Sequence, residues 1–232
     1  MLSLFSSGIP LPLLLVVTAV IAYFCGCFNG AVIVSKYILR DDVRTHGSGN
    51  AGLTNFYRTF GGLLTFVVIL CDVLKAVIAI LAARYLFFAG FAIFISAADT
   101  VVFWNTFAGY WAGLFCLLGH MFPCMFHFKG GKGILSGGTI VFLLDWRIAL
   151  VVWGGFLLLT ILTRYVSLGS LWAACSFPFV SWYCFPDPVI VALAFFIGGL
   201  IVWQHRGNIV RLLRRQENKF SLHHKKEGGD MR

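Results

Sequence analysis

Charge is what this sequence has least of. Only 12% of its 232 residues are Asp, Glu, Lys or Arg, about half of the ~25% usual in soluble proteins. That shortage excludes a soluble globular enzyme, a disordered chain and a nucleic-acid-binding module. The N-terminal ten residues contain no Lys or Arg, so the basic n-region of a cleaved signal peptide is missing. Ten-residue strands of alternating polarity, the mark of a transmembrane β-barrel, are missing as well. The seven cysteines (25, 27, 71, 116, 124, 175 and 184) are scattered, mostly within apolar runs. They form no even set in polar loops, so a disulfide framework is not expected. Cys25-Gly26-Cys27 lacks metal-ligand spacing, and the thiols read as small packing residues. There is no internal repeat and no low-complexity segment.

What the sequence has instead is apolar length. Hydrophobic residues make up 59% of the chain, enough for about seven spans of about 20 residues each. The expectation is an all-α, polytopic integral membrane protein in a single domain over residues 1–232, with a frayed basic tail from about 218. The expected spans are Leu11–Val34, Leu63–Ala83, Thr100–Leu118, Ile134–Leu144, Ile148–Thr163, Val166–Cys184 and Val189–Trp203. Arg84 is expected to mark a turn, and Phe87–Ala98 an extra interfacial or re-entrant piece. Pro186-Asp187-Pro188 is a strong break, because proline removes a donor and restricts the residue before it.

The charges orient this layout. With residues 1–10 placed outside, the inner segments hold fifteen Lys and Arg, namely Lys36, Arg40, Arg44, Arg58, Lys129, Lys132, Arg164 and eight more in the tail. Only Arg84 and Arg147 fall outside, and Lys75 lies within a span. Such an asymmetry places the C-terminus, both polar loops and the tail in the cytoplasm.

Three polar patches stand out. The first, His46–Arg58, holds three glycines within six residues, which lets backbone amides converge on an anion. Ser48 or Asn50 is placed to cap a helix starting there, and Thr54 and Arg58 share a face of it. Hydroxyls, amides and a guanidinium together make phosphate-binding chemistry, although no Lys follows the glycines as it would in a P-loop. The second, Gly119–Gly133, brackets Gly130 and Gly131 with Lys129 and Lys132. Its His120 and His127 have no carboxylate partners spaced for a metal. The third, Gln204–Glu217, sets His205, Asn208 and Arg211 along one helical face. Within the second span, Asp72 and Lys75 are three apart and read as a structural ion pair.

Ser48-Gly49-Asn50-Ala51-Gly52-Leu53-Thr54-Asn55-Phe56-Tyr57-Arg58, Gly119-His120…Pro123…Phe128-Lys129-Gly130-Gly131-Lys132-Gly133 and His205-Arg206-Gly207-Asn208-Ile209-Val210-Arg211-Leu212 together resemble the three motifs of the PlsY family of membrane acyltransferases. Asp72–Lys75 and Arg164–Ser167 are also similar to the family, and the likeness runs from about Phe28 to Glu217. Gly207 stands where relatives usually have Glu, Leu53 where they have Ala, and a Gly-x-Glu turn is expected to be missing after Arg215.

The resemblance implies transfer of an acyl group from acyl-phosphate to the 1-hydroxyl of glycerol 3-phosphate, on the cytoplasmic face of a bacterial inner membrane. The products would be lysophosphatidate and inorganic phosphate. An acyl-phosphate is already activated, so positioning and charge stabilisation suffice without a covalent nucleophile. Ser48, Arg58, Lys132 and His205 are the expected catalytic residues. Gly49, Asn50, Gly52, Thr54, Asn55, His120, Lys129, Gly130, Gly131 and Asn208 would bind substrate. His205 could act as general base, though the family is thought to let a substrate phosphate take the proton. No metal or cofactor is expected; the partners are the two substrates and the lipid bilayer, with no nucleic acid, and the protein is expected to be a monomer. The His-x-x-x-x-Asp signature of other acyltransferases is absent, since none of the six histidines has Asp five residues later. A transporter for a phosphorylated anion is the competing reading; it would place its charges near the bilayer midplane.

Overall fold

The structure, a computed structural model, describes residues 10–91 and 98–220. Those residues are helical, with no strand among them. Helix α1 spans Leu11–Cys27 and α2 spans Gly30–Ile33, running on as a π-turn over Val34–Ile38. The two meet at a 41° bend, where the Asn29 side chain accepts from Val32 N and caps α2. The expected first span is therefore broken at Phe28–Asn29. A short α3 (Leu53–Thr59) precedes the long α4 (Leu64–Phe91) and α5 (Ala98–Met121). Then come α6 (Ile134–Leu144), α7 (Trp146–Thr163), α8 (Val166–Cys184), α9 (Pro188–Gln204) and α10 (Arg206–Leu213). Asp145 alone separates α6 from α7 and caps α7 by accepting from Arg147 N, while Asp187 caps α9 in the same way.

Among the described residues, three helices are long and apolar enough to cross a membrane unaided, over Leu64–Gly90, Thr100–Phe126 and Trp146–Thr163. The bent pairs α1–α2 and α9–α10 raise the number to five. Helix α6 has 11 residues, about 16 Å of rise, roughly half a hydrocarbon core. Helix α8 has four serines among its 19 residues and is less apolar.

Arg84 does not end α4, contrary to expectation. The helix runs on through it, because the guanidinium finds carbonyls without leaving the helix: Nη2 donates to Leu143 O at 2.8 Å and Nε to Asn105 O at 3.4 Å. Phe87 is accordingly core, 1% exposed and stacked on Trp104, rather than interfacial. Residues 92–97 of the expected extra piece, and the tail beyond 220, lie outside the described residues.

The interior follows membrane packing rules. Between lipid tails, helices associate through close backbone approach at small residues. Gly26 of α1 and Gly119 of α5 make that approach: a Cβ on Gly26 would fall 2.0 Å from Cys116 O, and one on Gly119 2.0 Å from Tyr23 O. The buried Tyr110 hydroxyl donates to Ser181 Oγ at 2.8 Å, since a polar group withdrawn from water requires a partner. Large apolar side chains such as Phe66, Leu70, Phe88, Leu150, Ile161 and Phe196 face outward. Lipid, not water, satisfies such a surface.

The helices thereby bring one set of termini together. The loop before α3, the end of α5, the start of α6, the α7–α8 joint and the α9–α10 bend all meet at the same end of the bundle.

Candidate active site

The first loop is stapled by one buried amide. Asn55, 2% exposed, donates from Nδ2 to the carbonyls of Val43, His46 and Asn50 at 3.0, 3.1 and 3.1 Å. Its Oδ1 accepts from Ser48 N at 3.0 Å. Asn55 thus shapes the loop: its two N–H donors are taken up there, and Oδ1 keeps one lone pair. Gly47 and Gly49 supply the positive φ values, 54° and 69°, that the turn requires. Neither Ser48 nor Asn50 caps α3, as had been expected. Gly52 is the N-cap, extended at φ −129°, and no side chain caps the helix, because Ser48 and Asn50 are drawn back into the turn that Asn55 holds. The first turn of α3 therefore has no side-chain cap.

Arg44 ties this loop to the second one. Its Nη1 donates to Phe126 O at 2.9 Å and Lys129 O at 3.3 Å, while Nη2 pairs with Asp42 at 2.7 Å. The second loop then doubles back on α5 through Gly130 N to Met121 O and Gly131 N to His120 O, both 3.1 Å. A Cβ on Gly130 would lie 2.0 Å from His120 O, and one on Gly131 2.2 Å from His120 Nε2. These glycines serve close approach to His120 and do not line the cavity. The Lys129 side chain is exposed and also off it.

Helices α9 and α10 meet at a 57° bend centred on His205. The ring Nδ1 lies 2.8 Å from Ile201 O. A carbonyl only accepts, so Nδ1 carries the proton and Nε2 keeps its lone pair. One turn on, Asn208 Oδ1 accepts from Lys132 Nζ, and its Nδ2 donates to Glu217 Oε1 at 2.6 Å. Arg211 Nε donates to the other Glu217 oxygen at 2.7 Å.

Glu217 had no expected role, and the turn that delivers it was expected to be missing. The turn is present. Gln216 N bonds Arg211 O at 2.8 Å and Arg215 N bonds Leu212 O at 3.1 Å, the Schellman pattern. Arg215 occupies the left-handed position at φ 57°, where glycine is usual. Burial works against ionisation of Glu217, but the bonds from Asn208 and Arg211 outweigh it and hold the carboxyl below its ordinary range.

These pieces enclose a cavity of about 290 Å³. Its walls carry Ser48, Asn50, Gly52, Thr54, Asn55, Arg58, His120, Lys132, His205 and Asn208 from the expected set, but not Gly49, Lys129, Gly130 or Gly131. Arg211, Glu217, Ser167, Ser170 and Asp72 complete the polar lining. Ser167 and Ser170, three apart on the first turn of α8, were readable as one helical face pointing inward. The cations Arg58, Lys132 and Arg211 all face this space, whereas Arg206 instead covers Trp203 at 4.4 Å. Burial, then the neighbouring Arg211 and Arg58, push the Lys132 amine down to about 8, with Glu217 pulling the other way. Three cations on one cavity wall favour an anionic ligand. An apolar crevice between α6, α7, α8 and α9 shares Gly133, Ile134, Trp153 and Phe156 with it.

The model of the family described as glycerol-3-phosphate acyltransferase matches residues 16–215. The chain belongs to that family, PlsY. A glycerol-3-phosphate acyltransferase of Thermoanaerobacter pseudethanolicus is 36% identical over 204 residues, 88% of this chain and 94% of its own length. One from Clostridioides difficile is 37% identical over 205 residues, 88% and 94%. The crystal structure of PlsY, an integral membrane glycerol 3-phosphate acyltransferase, in its glycerol 3-phosphate form superposes with a TM-score of 0.75 at 31% identity, covering 89% of this chain and 96% of that one. Its lysophosphatidic acid form gives 0.72 at 30%, covering 89% and 95%. As a PlsY member the chain is an integral membrane acyltransferase of phospholipid synthesis. The three motif segments found in its sequence are the segments that meet around the cavity.

Proposed function

We propose that this PlsY member transfers a fatty acyl group from acyl-phosphate to the 1-hydroxyl of glycerol 3-phosphate, releasing lysophosphatidate and inorganic phosphate. The observation that carries the reading is one cavity that gathers three cations and an uncapped helix start, and opens onto an apolar crevice. Both proposed substrates carry phosphate, and the donor also carries a chain that the crevice suits.

Ser48, Asn50, Gly52, Thr54 and the first amides of α3 hold the phosphate of the donor, with Arg58 beside it. Lys132, Asn208 and Arg211 hold glycerol 3-phosphate. The attacking hydroxyl forms a C–O bond with the acyl carbon, and the C–O bond to the phosphate breaks. Charge growing on the carbonyl oxygen and on the departing phosphate is met by fixed donors, which cost no reorganisation at that moment. The hydroxyl proton passes to the departing phosphate or to His205 Nε2, which the Ile201 bond leaves as an acceptor. Asn55 holds the loop that carries the donor-binding groups.

Fifteen of the 18 Lys and Arg lie in the two polar loops, at Arg164 and in the tail. That supports seven crossings, an outer N-terminus and a site open to the cytoplasm. A transporter would need unpaired charge at depth; Asp72 and Lys75 are instead paired with each other at 2.6 Å.

Phosphorus NMR of the purified protein with acyl-phosphate and glycerol 3-phosphate tests the reaction. One inorganic phosphate released per lysophosphatidate formed is expected. Phosphate release without acylated glycerol would overturn it.

A further inference from the structure

Asp72 and Lys75 were expected to be a structural ion pair, yet the structure adds a third member that faces the cavity. Lys75 Nζ lies 2.6 Å from Asp72 Oδ1, 2.6 Å from His120 Nδ1 and 3.4 Å from Phe28 O. An ammonium has three donors and no acceptor, and these three acceptors use all of them. Asp72, Lys75 and His120 are exposed by only 2%, 4% and 2%, so water does not compete. The Asp72 carboxylate, 2.6 Å away, supplies the counter-charge that a buried ammonium requires.

The consequence for His120 is a matter of valence. Nδ1 accepts from an ammonium, so it carries a lone pair, and the ring proton sits on Nε2. A second ring proton would set N–H against N–H at 2.6 Å. His120 is part of the cavity wall, and Gly131 packs so close to Nε2 that a Cβ there would lie 2.2 Å from it and 2.7 Å from Ala51 O. The charged groups facing His120 are Lys75 and Asp72 of α4. The thiols of Cys71 and Cys116 lie near that pair, and α6 adds the Ser136 hydroxyl, which donates to Asp72 O at 3.2 Å. His205 across the cavity is set in the opposite sense by its bond to Ile201 O.

We infer that Lys75 and Asp72 are positioning residues that lock His120 as a hydrogen-bond donor, leaving His205 as the site's imidazole acceptor. His120 then donates to an oxygen of a substrate phosphate or of the acyl carbonyl and takes no part in proton transfer. This use of the lock rests on the acyl-transfer reading; the lock itself does not.

Nitrogen NMR of histidine-labelled protein in detergent, with signals assigned by their loss in His120→Gln and His205→Gln, tests it. The expected His120 signal has a protonated Nε2 and a bare Nδ1, unchanged between about pH 6 and 8. The expected His205 signal is the reverse at neutral pH. Lys75→Met should give His120 a mixture of tautomers and lower kcat by about a hundredfold, the cost of losing one fixed donor. His120→Gln, which keeps an N–H at the Nε2 position, should retain more kcat than His120→Asn, which moves it to the Nδ1 position. Should Lys75→Met fail to fold, the wild-type spectrum and the Gln-against-Asn ranking still decide. A wild-type His120 protonated at Nδ1, or on both nitrogens at neutral pH, would overturn the lock. Correct tautomers without acyl transfer would refute the reaction and leave the lock standing.

Discussion

Lys132 is where charge, burial and proposed substrate meet. Its amine is pushed down to about 8, so it is an ammonium below that pH and loses its charge above it. The KM for glycerol 3-phosphate should therefore rise as pH passes about 8, by up to about tenfold per unit. Glu217 supports the ammonium, so Glu217→Gln should start that rise at lower pH. Steady-state kinetics over an alkaline series would check both, and a KM flat through that range would count against the assignment. Arg58→Ala and Lys132→Ala should each lower kcat/KM by about a hundredfold or more with helical circular dichroism unchanged. Near-normal turnover in either would remove that residue from the mechanism. The sequence points to Ser48, Arg58, Lys132, His205 and Asn208 because each carries a chemical group that a phosphate site needs, and all five line the cavity. Lys129 is singled out by the same logic, as a lysine beside two glycines, but in the fold the glycines pack on His120 while this side chain faces outward, off the cavity.

Among the elements, the crossing of α1 and α5 and the turn after α10 carry most of the constraint on the site. Gly26 and Gly119 let α1 and α5 approach until backbone meets backbone. Gly26→Val should cost at least about 1–3 kcal/mol, because the obstruction is a carbonyl and not a movable side chain. Thermal unfolding in detergent would show it, and an unchanged midpoint would mean the crossing is looser than described. Arg215 holds a left-handed conformation, a cost of roughly 1–2 kcal/mol for a residue with a Cβ. Arg215→Gly should raise the unfolding midpoint and leave KM unchanged, since the turn and Glu217 stay in place. The positions of α6 to α9 could be read from apolar runs ended by Asp145, Arg164 and the Pro186–Pro188 break. The Schellman turn could not, because its usual glycine signal is absent and the geometry comes from backbone bonds that the sequence does not display. Arg84 misled in the opposite direction: a charge in an apolar run suggests an end, but its guanidinium reaches carbonyls of two neighbouring helices.

For the whole molecule, scarce charge has a spatial meaning. Five of the acidic residues are caps, clamps and counter-ions: Asp145 and Asp187 start helices, Asp42 steadies Arg44, Asp72 holds Lys75 and Glu217 holds Arg211. Arg58, Lys132 and Arg211 are left to gather around the cavity at one end of the bundle. A C-terminal fluorescent fusion should shine in the cytoplasm, and an active exported reporter at that end would reverse the topology. The central claim is that acyl-phosphate is the donor, and it is tested most directly by a choice of donors. Purified protein would be given radiolabelled glycerol 3-phosphate with acyl-phosphate, acyl-CoA or acyl carrier protein in separate reactions. Labelled lysophosphatidate with acyl-phosphate alone is the predicted result. Product from acyl-CoA or acyl carrier protein, with none from acyl-phosphate, would contradict it.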